Sequence, residues 1–533
     1  MEIGEIYLKD ISEISLRKGN LAENYVGLYR IFQEVLKERT QESRLDFSGA
    51  FARMDYLCKQ LHYAEEEYRR INSFRACSKE IQNGHTDKLS ESCWLDDLKT
   101  LTEFVSRVYH VEIPDELACR LPQVYLNRQS VRPLTETYIR LIVDNWDEQY
   151  IYGKTADEST EFIRVDYATP NFFGDWTYLK DFLTPHTQLN LVHPRKQENT
   201  YFPELIIYEP DFLLDISAIA SCFEPYGCTP LTYLVNKIKP AANTRAILLG
   251  NFASQLLDEA IYCHKGEAPS YKESARRFFQ RNALHLITCK DMDATFHTDA
   301  MNQQRILQEM IREQFPEVSG IDMEKIVLEP SFYCEMLGIQ GRMDLLQEDM
   351  RVLMEQKSGK RAFQTGKHVE KHYVQMLLYL ALLHYNYRLR NDEISCFLLY
   401  SKYRDGLLKE TTAPELLAEA IRLRNSIVRQ ELLYGEGKAE EIFEHLSPND
   451  LNVNRVGGTL WERYTEPQLR ALLRPIHVAS RLERNYFYRF FTFVEKEHIL
   501  SKLGNARKEG SGFASIWNDT LDEKQQSGNI YDR

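Results

Sequence analysis

Three strand-like runs, residues 325–335, 338–347 and 351–357, follow one another with only short breaks between them. Helical periodicity precedes them over residues 247–262, after an Asn243-Thr244 start signal, and again near 274–281 and 300–314. A long helical stretch follows over residues 368–387, and a buried-strand run over 394–401, bounded by Asn391-Asp392. The order is helix, three strands, helix, strand. Such an order demands a mixed α/β layer, because helices must cover the faces of the sheet the strands form.

Within that core, Asp344 closes the string Gly341-Arg342-Met343-Asp344, and Glu355-Gln356-Lys357 follows eleven positions on. On a strand, period-2 alternation puts Glu355 and Lys357 on one face. A tight turn at Asp349-Met350 would set Asp344 opposite Glu355, about 5 Å away. Two facing acids destabilise a hairpin unless a cation lies between them, and carboxylate oxygens favour Mg²⁺ or Mn²⁺ over zinc. A lysine beside them can orient water or offset charge on a phosphate. The bland alternative is a surface hairpin with a solvated Asp and a Glu–Lys pair. Gln375 and Tyr379 share a helix face one turn apart, and His368 and His372 extend it. Residues 357–371 hold five Lys/Arg (Lys360, Arg361 and Lys367 among them) and one acid, a local basic patch suited to a phosphate backbone.

The string GRMD, then EQK, then QxxxY is similar to the PD-(D/E)XK nuclease superfamily, in particular its RecB-type branch, which includes the nuclease domain of replication nuclease–helicases. The resemblance implies a restriction-endonuclease-like α-βββ-α-β core. It implies Asp344 and Glu355 as metal ligands, with the Gln356 carbonyl as a third, Lys357 as catalytic lysine, and Gln375 and Tyr379 as a motif touching the DNA strand. The family's first motif begins at Leu249-Gly250-Asn251, but Ser254 stands where its histidine would be. Asp258 stands at the motif's acid, with Glu259 beside it as a second oxygen donor. The cysteine quartet that holds an iron–sulfur cluster in some relatives is missing from the pattern. The implied function is a metal-dependent deoxyribonuclease for single-stranded or flapped DNA in replication or repair, fused to or partnered with a helicase. The alternative is a nuclease fold of weak or lost activity that clamps DNA or scaffolds a partner.

Around the core, residues 1–160 read as a helical N-terminal domain, with apolar residues at helical spacing over 51–81. Residues 161–244 read as a strand-and-loop connecting region, 245–435 as the nuclease core, and 436–533 as a mostly helical C-terminal region. The aromatic run 486–493 resembles the segment leading into a motor domain, so the 533 residues are expected to be the nuclease part of a longer polypeptide. The formal charge of −13 confines any nucleic-acid site to a local patch. The ten cysteines show no C-x-x-C pair, so neither a zinc nor an iron–sulfur site is expected. No secretory leader or bilayer-length apolar run is seen, which favours a cytoplasmic protein. The lysine after Gly366 is followed by His368, so the 359–367 stretch is not a phosphate loop.

Overall fold

The computed structural model describes residues 3–17, 20–43, 46–47, 50–82, 91–125, 137–155, 162–197, 200–241, 243–262, 269–318, 320–362, 368–504 and 512–518. Lys367 and residues 519–533 lie outside these. The chain forms two compact units. One holds residues 1–132, 302–322 and 400–411; the other holds 133–301, 323–399 and 412–533.

The first unit is helical, built on Ile3–Ser15, Leu21–Thr40, Ala50–Gln60, Glu65–Gln82 and Glu91–Tyr109. Leu8, Tyr25, Phe32, Phe74, Leu101 and Phe104 form its core. The periodicity over 51–81 continues across a break at residues 61–64. There His62 takes φ 51°, and the Arg107 guanidinium donates to the Leu61 and His62 carbonyls at 2.9 and 3.0 Å. These carbonyls have no helical donors, and the arginine replaces them.

Helices do not continue to residue 160 as the sequence reading expected. Tyr138–Trp146 and Tyr150–Thr155 are strands of the second unit, in a seven-stranded sheet. Leu141 and Val143 are buried while their neighbours are less so, a period of two that short flanking turns obscure. Strands Phe162–Asp166, Gln188–Val192 and Leu205–Tyr208 join the same sheet, so the expected connecting region is part of a real layer.

The strands of the expected core order as Ser395–Tyr400, Val352–Lys357, Leu345–Gln347, Ile326–Leu328. The Glu370–Tyr387 helix connects the first two, and the Ser395 N–H donates to the Arg351 carbonyl at 2.8 Å, so both strands begin together. Two of the three expected runs are broken. Ile326–Leu328 pairs with Leu345–Gln347, whereas Ser331–Cys334 pairs with Ile339–Arg342 in a separate sheet with Leu214-Asp215. The breaks fall at Glu329-Pro330 and Met343-Asp344. Pro330 has no N–H for a ladder, and Glu329 takes φ 51°. Backbone bonds at 3.0 Å, Glu329 N–H to the Asp344 carbonyl and Met343 N–H to the Pro330 carbonyl, hold the bend. The bend lifts Asp344 out of the regular ladder at the strand's edge.

The helix Pro414–Gly435 ties these layers together through Arg424, whose buried guanidinium donates to the carbonyls of Gly338, Tyr208, Glu209 and Phe212. The C-terminal part is helical as expected. Tyr434, Phe443, Leu473, Tyr488 and Phe491 pack with Leu234 in a second core. No helix among the described residues is long and apolar enough to cross a membrane.

Candidate active site

Leu345 pairs with Met354 and Leu346 with Leu353. Continued by one residue, that register sets Asp344 against Glu355, the juxtaposition expected from the sequence. The turn is the expected one: Met350 takes φ 62°, and Asp349 accepts the Arg351 N–H at 3.0 Å. Asp344 Oδ2 accepts the Gln356 N–H at 2.7 Å. Glu355 is 2% exposed, and its Oε2 meets no donor. Burial pushes both carboxyls up from their ordinary values; the charge of Asp344 adds to this at Glu355, and Lys357 opposes it at each.

Lys357 lies on the same strand face as Glu355. Its Nζ donates to Glu355 Oε1 at 2.7 Å and to Gln375 Oε1 at 2.9 Å. Gln375 in turn reaches Ser217 Oγ at 3.3 Å and the Tyr379 hydroxyl at 3.4 Å. Gln375 therefore holds the lysine, and Ser217, which no spacing in the sequence marks, backs it.

Tyr379 corrects an expectation. The resemblance makes it a residue touching DNA, but it is fully buried, and its hydroxyl donates to the Arg342 carbonyl at 2.6 Å. Eleven of the helix's eighteen residues are buried, so a ring on this face packs inward rather than stacking on a strand. A Cβ on Gly341 would lie 2.8 Å from Tyr379 Cε1 and 3.3 Å from the Ile216 Cβ. Gly341→Ala should thus cost about 1–3 kcal/mol by overpacking, read as a lower melting temperature. An unchanged melting temperature would mean the hairpin shifts without strain.

Asp258 stands on the Arg245–Tyr262 helix, one turn after Ser254 and two after Gly250. A Cβ on Gly250 would lie 3.1 Å from Ser358 Oγ, so this face of the helix meets the end of the Glu355–Lys357 strand. The Asp258 carboxyl is pushed up to about 6 by burial, then by Glu329, Asp344 and Glu259. Glu259 is committed elsewhere: it accepts from Gln255 at 2.9 Å and from the Ser274 hydroxyl. Ser254 only donates back to the Gly250 carbonyl at 3.4 Å. Glu329, which the sequence did not single out, is the fourth acid here and pairs with Arg342 at 3.2 Å. Its one sequence signal is the Glu-Pro step inside a strand run.

The expected basic patch is divided. Lys360 is exposed and Arg361 half-buried, while Lys371 pairs with Glu224 at 3.2 Å. The helix starts at Glu370, so His368 precedes it and stacks on Tyr373 with ring centroids 4.2 Å apart. Burial, then Lys357, Lys371 and His368, push His372 down to about 3, so its imidazole is neutral.

Among the described residues, one acid/histidine triad has its ligand atoms mutually within 4.8 Å: Glu431, Glu495 and His498. Lys237 Nζ already fills it, 2.7 Å from both Glu431 oxygens and 2.5 Å from Glu495. It is an internal ion network.

The chain matches no curated protein. Residues 230–468 match the family model of the PD-(D/E)XK nuclease superfamily, a span wider than the expected 245–435. Through that span the chain is similar to the PD-(D/E)XK nuclease superfamily, whose members are nuclease-type hydrolases that typically use divalent metals.

Proposed function

We propose that this chain is a Mg²⁺- or Mn²⁺-dependent deoxyribonuclease that hydrolyses phosphodiester bonds of single-stranded or flapped DNA. The observation that carries the reading is the buried, undonated Glu355 Oε2 facing Asp344 beside Lys357. A buried carboxylate oxygen without a donor is costly unless a proton or cation satisfies it. The donor set fits a hard cation: Asp344, Glu355, the Gln356 carbonyl and Asp258 would hold it, all through oxygen. When bound, the ion offsets charge on the phosphate and acidifies water. Lys357, steadied by Glu355 and Gln375, keeps its ammonium where negative charge grows on the phosphate and can orient the attacking water. The fixed lysine lowers the cost of reorganisation at that moment. Lys360, Arg361 and Lys367 would hold the strand's phosphates. In this reading a helicase, in the same polypeptide or as a partner, delivers the strand during replication or repair.

The test is cleavage of an end-labelled single-stranded oligonucleotide with Mn²⁺, compared with Asp344→Asn. Cleavage that survives this change would sink the reading. Metal binding requires deprotonated acids. Mn²⁺ affinity by calorimetry should therefore tighten as pH rises through about 6, where Asp258 gives up its proton. Affinity flat across that range would remove Asp258 from the ligand set.

The second reading, a nuclease fold that only clamps DNA, rests on Ser254 in place of histidine. Ser254→His places an imidazole one turn from Asp258, and should tighten Mn²⁺ more than Mg²⁺, since nitrogen donors favour transition metals. If wild type is inactive and Ser254→His gains cleavage, the clamp reading holds.

A further inference from the structure

The Tyr271–Arg281 helix and the short Ala283–Thr288 helix after it carry a surface unlike the rest of this acidic chain. Residues 271–290 contain five Lys/Arg (Lys272, Arg276, Arg277, Arg281 and Lys290) and one acid, Glu273, before Asp291. All five basic side chains are exposed. Glu273 is used locally, in a capping box with Ser270. Arg277 reaches Glu259 at 3.6 Å, whereas Lys272, Arg276, Arg281 and Lys290 have no ion-pair partner among the described residues. Like charges in neighbouring rows of a short helix are unfavourable in isolation. An external polyanion would offset that repulsion.

This helix is fixed to the one that carries Asp258. Phe278 stacks on Phe252 with centroids 4.5 Å apart, and Gln255 Nε2 donates to the Ser274 carbonyl at 3.1 Å. The Ser274 hydroxyl bonds Glu259, the residue next to Asp258. The helix is therefore packed through its Ser274–Phe278 side against the helix that carries Asp258, with Lys272 and Arg276 on its exposed side. Lys272 and Arg276, four apart on one helix face, are about 6 Å apart along its axis, close to two phosphate steps of a stacked strand at about 3.4 Å each. Arg281, five residues on, lies about 7.5 Å further along and round the helix, towards the Ala283–Thr288 helix. At the end of the surface, Leu284 and Ile287 are 79% and 82% exposed. Apolar tips beside a cationic row suit the bases of an unpaired strand, which present flat apolar faces.

We propose that the Tyr271–Thr288 helical pair is a docking surface for single-stranded DNA, in which Lys272, Arg276 and Arg281 hold backbone phosphates and Leu284 and Ile287 meet the bases. The inference rests on the nuclease reading for its substrate, and it adds a strand path that the 357–371 patch does not supply.

The test measures binding of the full chain to a fluorescein-labelled oligothymidylate in EDTA at several KCl concentrations. Without divalent metal, binding is read independently of cleavage. In Lys272→Ala/Arg276→Ala/Arg281→Ala the slope of log K against log salt should flatten by about two, since each phosphate of a single strand that is no longer neutralised takes about 0.7 from it. Leu284→Ser/Ile287→Ser should weaken binding and leave the slope in place. An unaltered slope and affinity in the triple variant overturns the inference. Should that variant melt early, Arg276→Gln/Arg281→Gln gives the same reading with a change of about two-thirds the size. A wild type that binds but never cleaves, with binding weakened in the triple variant, would sink the nuclease reading and keep this surface. A wild type that cleaves, with the slope unmoved, would do the reverse. Equal weakening on duplex and single strand would assign the surface to phosphates alone and overturn the base contacts.

Discussion

Lys357→Met should leave the protein folded and slow DNA cleavage by about 10²–10³, the usual cost of removing one preorganised charge from a reacting centre. The lysine is the hub of the site: its Nζ bonds Glu355 at 2.7 Å and Gln375 at 2.9 Å. Removing it acts in two ways. The phosphate loses its fixed cation, and the buried Glu355 loses the charge that opposes its protonation. Glu355 then holds its proton more tightly, so Mn²⁺ binding should weaken as well. Gln375→Leu separates the effects, since it frees Lys357 while leaving the Glu355 pair in place. Its cost should be smaller, about 10–100-fold, as expected for a group that orients another. Single-turnover rates and calorimetry on both variants check this. A Lys357→Met enzyme that cleaves at the wild-type rate would remove the lysine from the chemistry.

The largest expected stability effect lies away from the hairpin. Lys237→Met should destabilise the second unit by about 3–5 kcal/mol, because it leaves Glu431 and Glu495 facing each other without their ammonium. Both acids are at most 1% exposed, while Lys237 on the Pro230–Ile238 helix is 22% exposed. His498 bonds Glu431 at 3.1 Å. Replacing all three together, Lys237→Met/Glu431→Leu/Glu495→Leu, should recover much of the loss, because no charge is then stranded. Denaturant midpoints would show both effects, and a triple variant as unstable as the single would mean that packing rather than charge is at stake. The pH dependence has two signs. Hydrogen bonds that His498 donates to Glu431 and Glu495, against burial, raise it to about 9 from 6.5. Its share of stability is whole below about 6.5 and lost as pH rises through about 9. Burial pushes the Glu495 carboxyl up, but His498 and Lys237 outweigh it and hold the group below 4.5. Its share is whole above 4.5 and lost as pH falls through that lowered value. The network should therefore contribute most between those limits, and His498→Gln should remove the alkaline limb and also shrink the acid limb, because His498 helps hold Glu495 down.

The hairpin is legible because its information is local. Asp344, the turn at Asp349-Met350 and the two-residue step from Glu355 to Lys357 fix facing positions through strand periodicity alone, and the register places them so. The helix start near residue 245, the long helix to Tyr387 and the strand at Ser395–Tyr400 follow equally from periodicity and turn residues. Tyr379 departs from expectation because a tyrosine on a helix looks the same in sequence whether it faces a cleft or a sheet. Packing against Gly341 decides it. Glu329 and Ser217 are invisible in the sequence because they reach the site through a strand that changes sheets and a five-residue helix from a distant segment. The strands at Tyr138–Trp146 and Tyr150–Thr155 escape notice for a related reason: β pairing depends on partners remote in sequence, and Gln188–Val192, which pairs with the first of them, is drawn from a later segment of the chain. The sequence by itself determined the α/β order, the Asp–Glu–Lys hairpin and the family it resembles. Only the tertiary structure decided which acids gather around Glu355, which side chain steadies Lys357, and that the basic Tyr271–Arg281 helix is packed against the helix that carries Asp258. Such contacts join residues that no periodic rule connects, and they form only once the layers are packed.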